Sequence, residues 1–353
     1  MSSLPKLSYV LLSHNREKYI RTAVESALAQ DYEGELEYIF SDNCSTDQTF
    51  EIIKECVAAY KGNRRVVVTQ PPTNLKTAGN FNHAVSLAQG DWIIRADDDD
   101  ISAIDRCTAT AKAIMAVPGC SFIGISSQHS FTDATEESII KLAKERHEGD
   151  IEPTVTDIRR DSVDKVRFNF GKYCYLTWNI EVFKAFGDLP REAFLADDYI
   201  LFFRASLMGK GILLSEPPLY FIRKNSLNQS AGKEDGAITY TAIMRRERFF
   251  DEYQNSTAAP MRQTYEALLE FARRMPQEEQ PGVLAFLADM QEKVRVTETL
   301  RSYWRKGTIN RIRIARELGM TRLYDLMRCL PMPVFAALLA IFRKIKIKSL
   351  TQL

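Results

Sequence analysis

Four consecutive carboxylates, Asp97 to Asp100 in RADDDDIS, close an apolar run, and nothing basic follows until Arg106. Carboxylates crowded in this way repel one another unless a cation or hydrogen-bond donors compensate. Oxygen ligands suit hard divalent ions such as Mg²⁺ or Mn²⁺, which keep several waters and bridge to phosphate groups. Taken alone, the segment also fits a solvated acidic turn. A second pair, Asp197 and Asp198 in LADDY, stands where a helical pattern begins. It could cap that helix through the dipole or take a proton in general-base catalysis. There is no G-x-x-x-x-G-K-[ST] and no G-x-G-x-x-G after the first strand, so P-loop and dinucleotide-binding chemistry are set aside. Phosphate would then be held by metal, basic side chains and helix N-termini. His14, His83, His129 and His147 show no ligand spacing and read as structural or surface residues. The six cysteines are scattered without a C-x-x-C pair and read as reduced thiols.

The acidic run needs a strand to deliver it, and the first hundred residues supply the pattern of a parallel sheet covered by helices. KLSYVLLS, LEYIFSD, RRVVVTQ and DWIIRA read as successive strands. Ile20, Ala23, Val24, Ala27 and Leu28 recur at helical spacing after the first. Ser45 and Gln48 predict a capping box opening a helix with Phe50, Ile53, Val57 and Tyr60 inward. A third helix runs through Phe81, Ala84, Val85 and Ala88. Ser13 to Asn15, Asp42 to Asp47 and Asp97 to Asp100 all fall at strand carboxyl ends, where open α/β sheets bind ligands. A helix near 103–117 and a strand near 120–126 follow, then a polar stretch to about 165. FGKYCYLTWNIEVFKAFG, a helix in AFLADDYILFFRASLMG and strands in GILLSEPPLYFI come next, and the pattern is helical from about 237 onward.

The 353 residues, 45% apolar and 26% charged, describe a globular chain with one catalytic domain of ~200 to 250 residues and a smaller appendage. The net charge of +1 hides an asymmetry: residues 301–353 hold 12 Lys+Arg against 2 Asp+Glu. A basic tail on an acidic body implies an anionic partner for the tail. RCLPMPVFAALLAIFRKIKIK, 328–348, is too short and interrupted for a span of ~20 apolar residues. It predicts an interfacial helix in which Phe335, Leu338, Leu339 and Phe342 enter acyl chains while Arg343, Lys344, Lys346 and Lys348 meet anionic headgroups. A C-terminal helix packed on protein is the alternative. No base-reading module supports nucleic acid as a partner. MSSLPKLSYV lacks the regions of a signal peptide, so the expected location is cytoplasmic, peripheral on the cytosolic membrane face.

YVLLSHNREKYIRTAVESALAQDY, IFSDNCSTDQTFEII, NLKTAGNFNHAVSLAQGDWIIRADDDD and FLADDYILFFRASLMG together resemble, in order and spacing over roughly residues 6–230, the family-two inverting glycosyltransferases. The resemblance implies an α/β protein of the GT-A fold, Rossmann-like, with a mostly parallel sheet flanked by helices and a C-terminal all-helical extension. Residues 1–235 would form the catalytic domain, with a nucleotide-sugar half to about 126 and an acceptor half over about 127–235. Residues 236–353 would form the helical region, with a basic tail at 328–350 that would associate with a membrane.

By position, the resemblance implies that Ser13 and Asn15 line the nucleotide and Asp42 bonds the nucleobase, although Asn43 and Cys44 depart from the family pattern. Asn74, Asn80 and Asn82 match N-L-G-x-x-x-N-F-N, with Lys76 in place of Gly. Asp97 and Asp98 would contact the donor, and Asp99, with Asp97, would ligate Mn²⁺ or Mg²⁺, while Asp98 and Asp100 also fit the D-x-D signature. Asp198 would be the general base beside Asp197; Lys224-Asn225 replaces the usual His, and Arg223 or Lys224 would neutralise phosphate in its place. Trp178 would stack on the acceptor sugar or else fill the core. The implied reaction is inverting transfer from a nucleotide-diphosphate sugar, UDP-sugar favoured, to a saccharide or lipid-linked saccharide acceptor in cell-surface glycan synthesis. A catalytically inactive nucleotide-sugar-binding protein of this fold and a sugar nucleotidyltransferase are the alternatives; LLSHNREKY lacks the latter's glycine-rich basic loop. Self-association through the helices is left open.

Overall fold

The computed structural model describes residues 3–126, 129–147, 149, 151–158, 161, 173–191, 197–224, 240–301, 303–319 and 329–344. For residues 173–175, 197–199, 240–246, 249–254, 293, 304 and 339–344 it describes the backbone alone.

Every residue of β1 (Leu7–Ser13) is buried, as in a strand covered on both faces, where apolar runs replace alternation. Helix α1 (Ile20–Leu28) buries Ile20, Ala23, Val24 and Ala27, the stripe that a 3.6-residue period lays on one face. The equally buried β2 (Leu36–Asp42) follows, then α2 (Thr49–Ala59), β3 (Val66–Thr69), α3 (Lys76–Ser86) and β4 (Trp92–Asp97). β1 pairs in parallel with both β2 and β4, and β2 with β3. The resulting order, β3-β2-β1-β4, reverses direction at β1, and that reversal opens a crevice beyond the strand carboxyl ends. The predicted Ser45/Gln48 capping box does not form. Gln48 precedes α2 without a side-chain cap, and Ser45 donates to Asp42 instead.

Past the acidic run come β5 (Ile101–Ser102), α4 (Arg106–Ala116), β6 (Cys120–Ser126), β7 (Ser130–Phe131), a 3-10 turn at Asp133–Thr135, α5 (Glu136–Ala143) and β8 (Thr154–Thr156). β9 (Tyr173–Asn179), α6 (Glu181–Phe186), α7 (Asp197–Met208), β10 (Lys210–Leu214) and β11 (Tyr220–Arg223) complete this part. β9 inserts antiparallel between β4 and β6, and β10 runs parallel to β6, giving the eight-stranded order β3-β2-β1-β4-β9-β6-β10-β8. A second sheet, β5-β11-β7, returns β11 antiparallel to β5. That return brings Arg223 beside the acidic turn.

Gly90, just before β4, is a close-approach position. A Cβ there would meet Ser8 N and Oγ at 2.7 Å and Leu7 C at 2.8 Å, and backbone cannot yield as a flexible side chain can. Gly90→Ala is expected to destabilise the protein by about 1–3 kcal/mol through overpacking, read as a lower urea midpoint at unchanged slope.

The chain divides into two compact units. One comprises Met1–Lys224 with Glu266–Leu287, the other Asn225–Tyr265 with Ala288–Leu353. The division therefore runs through α8 (Tyr240–Arg273) and α9 (Gln280–Leu300), whereas the sequence placed it at 235/236. Apolar faces explain this: Phe271 packs against Phe186 at 4.9 Å and Phe286 against Phe203 at 5.0 Å, both within the first unit. The second unit contains α10 (Thr308–Glu317) and α11 (Met332–Lys344). There Leu300, Tyr303 and Ile314 cluster and Arg311 Nε donates to the Cys329 carbonyl at 3.0 Å. The interfacial reading of the tail needs correction at Phe335, which is fully buried with Ala336 and so is not offered to acyl chains. The side chains of Leu339, Phe342, Arg343 and Lys344 and all of 345–353 lie outside the described residues. Among the described residues no helix is long and apolar enough to cross a membrane.

Candidate functional site

Register sets the level of the site. Ser13 is the parallel partner of Asp42, and Leu12 of Asp97, so three strand ends place their polar groups at one height. The loops they feed are then laced together. Ser13 Oγ donates to Asp42 Oδ1 at 3.1 Å. Asn15 donates its N–H to Ser45 Oγ at 2.8 Å, and its Oδ1 accepts the Thr46 N–H at 2.8 Å. Asn15 and Cys44 adopt left-handed φ angles of 52° and 59°, and Lys76 at the start of α3 has φ 61°. Non-glycine residues are uncommon in that region, and such conformations concentrate at functional sites. They also explain why a glycine would suit position 76.

Asp42 is fully buried. Its carboxylate accepts from Ser13 Oγ, from the Ser45 N–H at 2.9 Å, from Ser45 Oγ and from Gln70 Nε2 at 2.7 Å. A carboxylate has about four acceptor positions, so the nucleobase contact expected of Asp42 is replaced by a role in shaping the loop. Asn80 is likewise buried. It accepts from Ser41 Oγ at 2.7 Å and donates to the Ser41 carbonyl at 2.9 Å, fastening α3 to β2 instead of lining the crevice. Asn74 is exposed. Its Oδ1 takes the Asn43 amide at 3.1 Å and its Nδ2 lies 3.2 Å from His14 Nε2.

His14 was passed over in the sequence, yet it joins the loops: its N–H donates to Asp98 Oδ2 at 2.8 Å and its ring lies between the Asn15 and Asn74 amides. Its position between Ser13 and Asn15 at a strand end was the available signal.

The acidic run forms the turn from β4 to β5. Asp97 is half-exposed; its N–H donates to the Tyr220 hydroxyl at 2.9 Å and its carboxylate meets Arg95 Nε at 3.1 Å. Asp98 faces Arg16 Nε at 3.5 Å. Asp99 and Asp100 are buried, and Asp100 Oδ1 accepts the Arg223 N–H at 2.8 Å. Burial, and then the neighbouring Asp99 charge, push the Asp98 and Asp100 carboxyls well above the usual carboxylate range. Burial, followed by Asp100 and Asp97, likewise pushes Tyr220 up. Beneath the turn Arg106 is fully buried, 4.3 Å from the Tyr220 ring and donating to the Arg95 carbonyl at 2.7 Å.

Four carboxyls are thus crowded into one turn among Arg16, Arg95, Arg106 and Arg223, and the mutual repulsion of Asp98, Asp99 and Asp100 is what a divalent cation would relieve. Among the described residues no three His, Cys, Asp or Glu side chains converge to cage an ion by themselves. The carboxylates of the turn are oxygen donors of the kind that Mg²⁺ and Mn²⁺ take one or two at a time, with water and phosphate oxygens completing the shell.

Two expectations fail on geometry. Trp178 is fully buried, its backbone paired with Ile93 and Phe122 and its ring 5.7 Å from Phe81. With no accessible face it cannot stack on an acceptor and is a core residue. Arg223 is also fully buried, and its guanidinium faces Asp133 and Glu136 rather than open crevice, so it is not offered to a diphosphate. Asp197 and Asp198 open α7, but their side chains lie outside the described residues.

An eight-stranded sheet with a polar crevice and an acidic turn at its switch point defines the GT-A class of fold. Residues 8–125 match the family described as glycosyl transferase family 2, and the chain carries a domain of that family. It is 39% identical over 102 residues to the putative glycosyltransferase EpsE of Bacillus subtilis (strain 168), covering 29% of this chain and 36% of that protein. It is 34% identical over 97 residues to the poly(ribitol-phosphate) beta-N-acetylglucosaminyltransferase TarS of Staphylococcus aureus (strain Mu50), covering 27% and 16%. The matches thus span about a third or less of these relatives' own length. The crystal structure of S. aureus TarS 1–349 in complex with UDP-GlcNAc has the same fold, with a TM-score of 0.52 at 18% identity, over 96% of this chain and 92% of that one.

Proposed function

We propose that this protein is an inverting glycosyltransferase that moves a sugar from a nucleoside diphosphate sugar, UDP-sugar favoured, to a saccharide acceptor carried on a lipid, in cell-surface glycan synthesis. The observation that carries the reading is the acidic turn of Asp97–Asp100 at the switch point, level with the laced loops of β1 and β2. Support for the donor comes from TarS, a poly(ribitol-phosphate) beta-N-acetylglucosaminyltransferase with a crystal structure in complex with UDP-GlcNAc.

In this reading His14, Asn15 and Asn74 line the nucleotide side of the crevice. Asp99 and Asp97 would hold Mn²⁺ or Mg²⁺, which when bound neutralises charge on the departing diphosphate. Asp198, on the first turn of α7, takes the proton from the acceptor hydroxyl as that oxygen attacks the anomeric carbon from the face opposite the diphosphate. The carbon inverts through an oxocarbenium-like transition state. The positive end of the helix favours the ionised state of Asp198 and of its neighbour Asp197. Arg343, Lys344, Lys346 and Lys348 meet anionic headgroups at the cytosolic face of a membrane.

The test is a panel of nucleotide sugars with and without Mn²⁺ or Mg²⁺, reading release of nucleoside diphosphate and the anomeric configuration of the product by NMR. Release dependent on a UDP-sugar and on the ion, with inversion, is expected. Chelation by EDTA should lower the rate at least ~100-fold, as loss of a principal electrostatic stabiliser does. Metal-independent release or retained configuration rules the mechanism out.

A further inference from the structure

Arg223 is a buried cation of the acidic turn that the proposed reaction does not use. Arg223 ends β11, and its N–H and its side chain grip two consecutive residues of the turn: N–H to Asp100 Oδ1 at 2.8 Å and Nε to the Asp99 carbonyl at 2.9 Å. Its other guanidinium nitrogens point away from the turn. Nη1 donates to Asp133 Oδ1 at 2.9 Å and to Glu136 Oε2 at 3.2 Å, and Nη2 donates to Glu136 Oε1 at 2.5 Å. The guanidinium carbon lies 4.4 Å from the Tyr19 ring centre and 4.5 Å from that of Phe131, so the plane is held between two aromatic faces. Both acids are themselves tied to the β1–α1 region: Asp133 by Lys18 Nζ at 2.6 Å, Glu136 by Thr22 Oγ1 at 3.2 Å.

We propose that Arg223 is a positioning residue that holds the Asp99–Asp100 peptide in the conformation a divalent ion requires, with Asp133 and Glu136 anchoring its guanidinium on the far side. This rests on the reading of the acidic turn as the cation and diphosphate site. The physics is a division of labour within one planar fork. Arginine can present Nε to a carbonyl and its terminal nitrogens to a carboxylate pair at once, whereas lysine offers a single point charge. With the Glu136 charge removed, Asp133 is the one acid of this pair still holding the guanidinium on the far side, and its positive charge is freer to turn toward the carboxylates of the acidic turn. It would then draw in those carboxylates and compete with the ion.

The test uses the full chain, with no sugar donor, and reads Mn²⁺ binding by the electron paramagnetic resonance of the free ion, with and without UDP. Glu136→Gln is expected to weaken Mn²⁺ binding about fivefold while the thermal midpoint stays within about 2 °C, because the Glu136 side chain is part-exposed at 27%. Glu136→Asp, which keeps the charge, should recover most of the affinity. Arg223→Lys is expected to weaken binding at least tenfold. Should Arg223→Lys fail to fold, the two Glu136 variants decide the matter. If Glu136→Gln binds Mn²⁺ within twofold of the parent, the inference is overturned while the functional reading stands. If the parent itself binds no Mn²⁺, with or without UDP, and releases no nucleotide from any donor, both fall together.

Discussion

Asp99→Ala is expected to reduce nucleoside diphosphate release about 1000-fold at saturating donor, the size of effect seen when a principal electrostatic stabiliser of developing charge is removed. The fold should tolerate the change. The carbonyl of Asp99, not its carboxylate, accepts from Arg223, so that anchor of the turn survives. Burial and then the Asp99 charge hold the Asp98 and Asp100 carboxyls above their ordinary range, and deleting that charge relieves both. A cooperative thermal transition should therefore persist while activity collapses, a separation that a misfolded variant could not show. Retention of more than a third of parent turnover would remove Asp99 from the mechanism.

Asp198→Asn is expected to lower kcat by about 1000-fold, within the range for loss of a general base. The Michaelis constant for the donor should stay within about twofold, because a group that acts only as the acceptor hydroxyl loses its proton stabilises the transition state and not the bound donor. Mn²⁺ and UDP binding should match the parent, in contrast to Asp99→Ala. Asp198 lies on the first turn of α7, where the helix dipole favours an ionised carboxylate, the state a base must occupy before it acts. A variant that loses donor affinity but keeps kcat would reassign Asp198 to binding.

Several elements were legible from the chain alone because their signals are local. LEYIFSD coincides with β2 and residues 120–126 with β6, since buried strands are apolar runs bounded by polar turns. The stripe Ile20, Ala23, Val24, Ala27 is the buried face of α1. The capping box at α2 misled because Ser45 had a stronger partner in Asp42, a carboxylate already in place at the end of β2. For Trp178 and Phe335 the sequence leaves a binding face and a core as alternatives, because a flat or apolar side chain looks alike in both; only the neighbours distinguish them.

What the sequence by itself determined is the order of strands and helices and the delivery of three polar clusters to strand carboxyl ends, because hydrophobic period and turn chemistry act over a few residues. What only the tertiary structure decided is which polar groups face the crevice and which are consumed by the protein. Asp42 finds Gln70 across 28 residues, and Arg223 finds the Asp99 carbonyl across 124. A polar side chain becomes a site residue only if no internal donor or acceptor claims it first, and those claimants arrive through chain crossovers that no local pattern encodes.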